Sequence, residues 1–133
     1  MSKPKKIAIT VFSVVVILTA FIAFFAVQIT DDLDYLANVD VIDVDLTAVE
    51  DGNYTGEYSC FPVTAIVEVL VENHEIIEIT IISHKNGQGE AAEVIIEDVL
   101  ENQTLGVDSI AGATYSSKVI LLAIQTALES SID

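Results

Sequence analysis

Val63-Thr64-Ala65-Ile66-Val67-Glu68-Val69-Leu70-Val71-Glu72 alternates with period two, and Asn73-His74 breaks it before a second β-branched run over residues 76–83. Val63, Ala65, Val67 and Val69 fall on one face of an extended chain, and Thr64, Ile66, Glu68 and Leu70 on the other. That is the pattern of a half-buried strand. Two such runs around a two-residue polar connector read as an antiparallel hairpin.

Working outward, Gly52-Asn53-Tyr54-Thr55-Gly56-Glu57-Tyr58 opens on a turn signal and continues with aromatic and β-branched residues, which predicts a third strand. Downstream lies the glycine-punctuated loop His84-Lys85-Asn86-Gly87-Gln88-Gly89. Residues 90–101 then show helical spacing, with Ala91, Val94, Ile95 and Val99 apolar. Residues 102–106 interrupt it. From Ser116 onward, Val119, Ile120, Leu122, Ala123, Ile124, Ala127 and Leu128 recur at helical intervals. The expected fold of residues 51–133 is α+β: a small antiparallel sheet with two helices packed on it.

Residues 7–29 contain no charge. As a helix they are long enough to cross a bilayer core of about 30 Å. Lys3, Lys5 and Lys6 precede them, and Asp31, Asp32 and Asp34 follow. The positive-inside rule then predicts a cytoplasmic tail (1–6), a transmembrane anchor in membrane lipid (7–29) and an extracytoplasmic domain at the cell membrane. The run exceeds the usual apolar region of a cleaved signal peptide, which favours an uncleaved anchor. Residues 30–50 are acidic and read either as a self-repelling linker or as an edge segment of the sheet.

The net charge is −16, there is no arginine, and all 21 acids lie beyond residue 30. Nucleic acid is therefore not an expected partner, because phosphate backbones need a basic patch. Cys60 is the only cysteine, so no internal disulfide is possible, and it reads as a small strand hydrophobe. His74 is expected to be solvated at the hairpin tip. The two histidines lack zinc-ligand spacing, and no metal is expected.

The segment with chemical content is Asp108-Ser109-Ile110-Ala111-Gly112-Ala113-Thr114-Tyr115-Ser116-Ser117. It leads into the final helix, whose first amides lack intrahelical partners and carry partial positive charge. Phosphate is favoured there. Gly112 and Ala113 allow close approach to the backbone, and Thr114, Ser116 and Ser117 supply hydroxyls for capping or phosphate contact. Asp108 would orient a hydroxyl or bind a cation. Read without a ligand, the same residues are a helix cap and a solvated loop acid.

Residues 51–128 resemble the FMN-binding domain found in the C and G subunits of sodium-pumping NADH:quinone reductase and in Rnf complexes, in particular short membrane-anchored extracellular members. The resemblance rests on Asp51-Gly52-Asn53-Tyr54-Thr55-Gly56, on the His84–Gly89 loop followed by Ala91-Ala92-Glu93, and on residues 108–117, which look like the family's flavinylation motif. It implies that a flavin transferase attaches FMN by phosphoester to Thr114, with Asp108, Gly112 and Ala113 needed by the transferase. Ala111 stands where the family more often has Ser or Thr. The resemblance further implies a covalently flavinylated electron-transfer flavoprotein. It would relay electrons from a membrane donor, a quinone or reductase, to an outer acceptor, alone or as a subunit of a larger oxidoreductase. His84 reads either as a cofactor-binding proton relay or as a packing residue. Tyr115 either stacks on flavin or packs under the last helix. The competing reading is a non-redox sensor or interaction module without flavin.

Overall fold

The computed structural model describes residues 2–85 and 90–132. The glycine part of the loop read above, residues 86–89, lies outside them. The chain divides into two units, Met1–Asp34 and Tyr35–Asp133.

The first unit is helical. Helix α1 (Lys3–Asn38) includes a stretch long and apolar enough to cross a membrane, and none of that stretch is buried within the protein. A helix that is apolar all round needs a non-aqueous neighbour. Its hydroxyls are satisfied along the helix: Thr10 donates to Lys6 O, Ser13 to Thr10 O, Thr19 to Val16 O and Thr30 to Ala26 O, each at 2.9 Å. That is the arrangement a bilayer interior requires.

In the second unit, strands β1 (Gly52–Cys60), β2 (Val63–Glu72) and β3 (Glu75–Lys85) form one antiparallel sheet in the order β1-β2-β3. Asn73 (φ 52°) and His74 (φ 63°) both take left-handed backbone, as the tight two-residue hairpin requires. Val63, Ala65, Val67, Val69 and Val71 point into the core, as the alternation predicts. The register shifts twice along β3, so Ile77 and Ile82 are extra, exposed residues. A 3-10 turn (Glu90–Val94) leads into α2 (Ile95–Asn102), and α3 (Thr114–Glu129) closes the chain. The buried side chains of α3, among them Val119, Ile120, Ala123, Ile124 and Ala127, meet the inner residues of β1 and β2.

Two expectations need correction. The compact unit begins at Tyr35 rather than 51, and residues 39–51 are neither a stalk nor an edge strand. Their aspartates capture local backbone instead of leaving it for a ladder: Asp43 accepts from Val44 N, and Asp45 accepts from Thr47 N and Thr47 Oγ1. The hydroxyl bond from Thr47 holds the Asp45 carboxyl below its usual range. Leu36 and Val49 are fully buried, and Ile42 N donates to Gln125 Oε1 at 2.8 Å. Nor is His74 merely solvated. Its Nδ1 lies 3.2 Å from Leu46 O and 3.1 Å from Val49 O, so it carries the proton and fastens this segment.

Helix α3 and strand β1 approach each other closely at Gly56. A Cβ at Gly56 would fall on the carbonyl oxygen of Ala123 and within 2.5 Å of Ala127 N, both backbone atoms. Gly56→Ala should therefore lower stability by at least about 2 kcal/mol, read as a drop in Tm of the full-length protein. An unchanged Tm would contradict this contact. Burial first, and then a hydrogen bond with Tyr35, push the Tyr58 phenol from 10.0 up to about 12. The fold favours the neutral form, so this contribution is complete below pH 10 and is lost as pH rises towards 12. Tyrosinate absorbance should show one late-titrating group that Tyr58→Phe removes.

Candidate functional site

The start of α3 is built by the loop before it. Ala113 N donates to Ile110 O at 2.9 Å, closing a turn in which Gly112 has φ +79°. A side chain at Gly112 would meet nothing within 4 Å, so glycine serves the left-handed backbone and leaves it bare to open space. Ser117 fastens the turn from inside. Its Oγ accepts from Ile110 N at 3.0 Å and donates to Ala113 O at 2.7 Å. Ser117 is wholly buried and Ser116 nearly so. Of the two roles expected for these hydroxyls, capping or phosphate contact, Ser117 takes the first by bonding the backbone of the turn.

Ala113 occupies the cap position and makes no side-chain cap, while Thr114 is the first helical residue and is exposed. Thr114 is therefore not the helix cap. The first turn carries no acid, so the positive end of the helix is not locally cancelled. Lys118, one turn on, directs its Nζ to Ala37 O at 3.4 Å. Tyr115 is fastened through its hydroxyl, which donates to Phe61 O at 2.7 Å and lies 3.1 Å from both Cys60 O and Cys60 Sγ. Cys60 is a buried strand residue.

That tyrosine bond puts the start of α3 at the β1–β2 turn. Ala65 of β2 stands opposite His84, and Thr64 opposite Lys85, so the end of β3 lies at the same end of the sheet. Topology thus gathers two distant sequence blocks, residues 84–85 and 108–117. Yet the His84 side chain is only 1% exposed, and its Nδ1 is 3.1 Å from Glu93 Oε1. Asp108 is exposed and lines an open depression of about 390 Å³ with Asp98, Asn102, Thr104, Gly106 and Val107. Sequence reading missed Asp43 and Gln103, which hold the front of this loop. Gln103 carried one signal, a polar amide just past a helix end, where the left-handed conformation (φ 54°) is common.

An exposed threonine, an acid-free helix start and a glycine turn thus stand together at the start of α3 on an α+β scaffold, an arrangement of the kind that favours phosphate groups. The model of the FMN-binding domain family matches residues 61–129, from the β1–β2 turn to the end of α3, and the chain belongs to that family. It therefore binds flavin. No curated protein is similar enough to this chain to be matched.

The start of α3 is compatible with the phosphate end of FMN: a helix N-terminus without a side-chain cap, bare backbone at Gly112 and the exposed Thr114 lie together there. Ser117→Ala would leave Ile110 N without its side-chain acceptor. It should cost about 1–3 kcal/mol and speed amide exchange at Ile110 ahead of the core of α3. Uniform exchange across both would show that the serine does not fasten the loop.

Proposed function

We propose that this protein is a membrane-anchored, extracytoplasmic electron carrier that holds FMN as a phosphoester on Thr114. The observation that carries the reading is Thr114 itself, an exposed hydroxyl on an uncapped helix N-terminus inside an FMN-binding domain. In the attachment step, Thr114 Oγ1 gives up its proton and takes the FMN phosphate from FAD, with AMP as the leaving group. A flavin transferase is thus a required partner, and Asp108 is the exposed acid it would engage. The first amides of α3 hold the phosphate oxygens once attached, and Tyr115 and Ser117 fix the helix start that presents them. The bound flavin supplies reversible redox chemistry.

The long apolar helix supports anchoring, and the lysines before it with the aspartates after it support a cytoplasmic N-terminus. A membrane quinone or reductase is then the donor, and an outer protein the acceptor. The net charge of −16 favours a cationic acceptor at low salt.

The full-length chain, co-expressed with a flavin transferase and denatured in SDS, should give a fluorescent band that Thr114→Val abolishes. A dark wild-type band, with the transferase active on a control substrate, would remove the covalent reading and leave a noncovalent flavoprotein. A fluorescent Thr114→Val band would move the attachment to another residue.

A further inference from the structure

The acceptor loop is fastened from a part of the chain outside the family match, and this gives Asp43 a task. Asp43 Oδ2 accepts from Thr104 Oγ1 at 2.5 Å, and its Oδ1 accepts from Leu105 N at 3.1 Å. Thr104 Oγ1 in turn accepts from Gly106 N at 3.0 Å. One carboxylate therefore sets three consecutive residues, and Leu105 is driven into the core beside them. Just before them, Gln103 binds both backbone groups of Ile76 on β3, at 2.7 Å and 2.9 Å. Ser117 holds the far end of the loop at Ile110. Between these fastenings stand Asp108 and Ser109, both exposed, with Asp108 facing the depression that Thr104 and Gly106 also line.

A loop held at both ends and exposed in the middle is pre-ordered for recognition, and binding to it loses less conformational entropy. A charged acceptor makes the stronger hydrogen bonds. We infer that Asp43, in the segment between the long apolar helix and the sheet, is a positioning residue for flavinylation, acting through Thr104 to present Asp108 to the transferase. It touches neither flavin nor Thr114. This rests on the reading of Thr114 as the acceptor.

The test is a time course. Full-length protein in detergent, purified without flavin, is incubated with a flavin transferase and FAD, and the in-gel fluorescence is followed. Asp43→Asn keeps an acceptor for Leu105 N but loses the carboxylate. Thr104→Val removes the hydroxyl that joins the two segments. Each should slow labelling about tenfold, the effect of one charge-assisted hydrogen bond. The double variant should be no slower than the slower single one, because both act through the same bond. Val67→Ala, which hollows the middle of the sheet, is the stability control and should label at the wild-type rate at equal folded fraction.

Wild-type labelling rates in Asp43→Asn and Thr104→Val would overturn the inference. So would independent, multiplicative losses in the double variant, or a Val67→Ala rate as low as theirs. A wild-type chain that never labels, with the transferase active on its control, would instead remove Thr114 as acceptor.

Discussion

Helix α3 rests on strand β1 at a point where no methyl group fits, and the site depends on that approach. With Gly56 under Ala123 and Ala127, the backbone of the helix meets the backbone of the strand, and the axis of α3 is fixed at mid-length. Its buried residues then fill the space over β2. Once the axis is set, the first residue of the helix has one place to be, at the β1–β2 turn. The bond from Tyr115 to Phe61 secures it there. The position of Thr114 is thus a consequence of packing about three turns away. A larger residue at Gly56 would tilt the helix and displace its start with it.

Beyond that contact, the domain uses side chains to replace backbone pairing that its small sheet does not supply. Gln103 places both ends of its amide on Ile76 of the edge strand β3, where a neighbouring strand would otherwise bond. His74 and Asp51 tie the hairpin tip to the segment before β1, through Leu46 O, Val49 O and Asn73 N. Buried backbone groups need partners, and a domain of this size has few strands to provide them. The acidic segment therefore belongs to the fold, and the 61–129 family match covers less than the compact unit from Tyr35.

This division between backbone and side-chain fastening also explains what could be read in the sequence. The strand β2 and the helix α3 were legible because each has a clean period, and β3 and the two-residue connector from a β-branched run after a polar break. Val63 to Val71 alternate, and Val119 to Leu128 follow the helical repeat. The start of α3 at residues 114–116 was legible from the small residues before it and the apolar repeat after it. Residues 39–51 were not, because the partial alternation over residues 40–46 describes an edge strand as well as a chain laid on a core. What separates them is the local capture of amides by Asp43 and Asp45, a tertiary choice. The orientation of Ser116 and Ser117 was not legible for a related reason. Hydroxyls one turn into a helix face inward or outward according to the packing of that helix, and α3 is buried on the side that carries them.

The charge of the chain bears on why a covalent bond would suit this site. FMN carries a dianionic phosphate near neutral pH, and the protein opposes it with 21 acids against five lysines. An uncapped helix start contributes typically about 0.3–1 kcal/mol towards an anion, and up to about 2 in sheltered geometry. Micromolar retention needs about 8 kcal/mol. The phosphate end of the site falls well short, and Lys118 is engaged at Ala37 O rather than directed to the helix start. A phosphate contribution of that size would not by itself retain a flavin. The proposed ester to Thr114 would remove the deficit, since the helix end would then have only to orient a phosphate that cannot leave. The acid-rich surface remains compatible with a flavin cofactor on that condition, and it is then available for attracting a cationic redox partner.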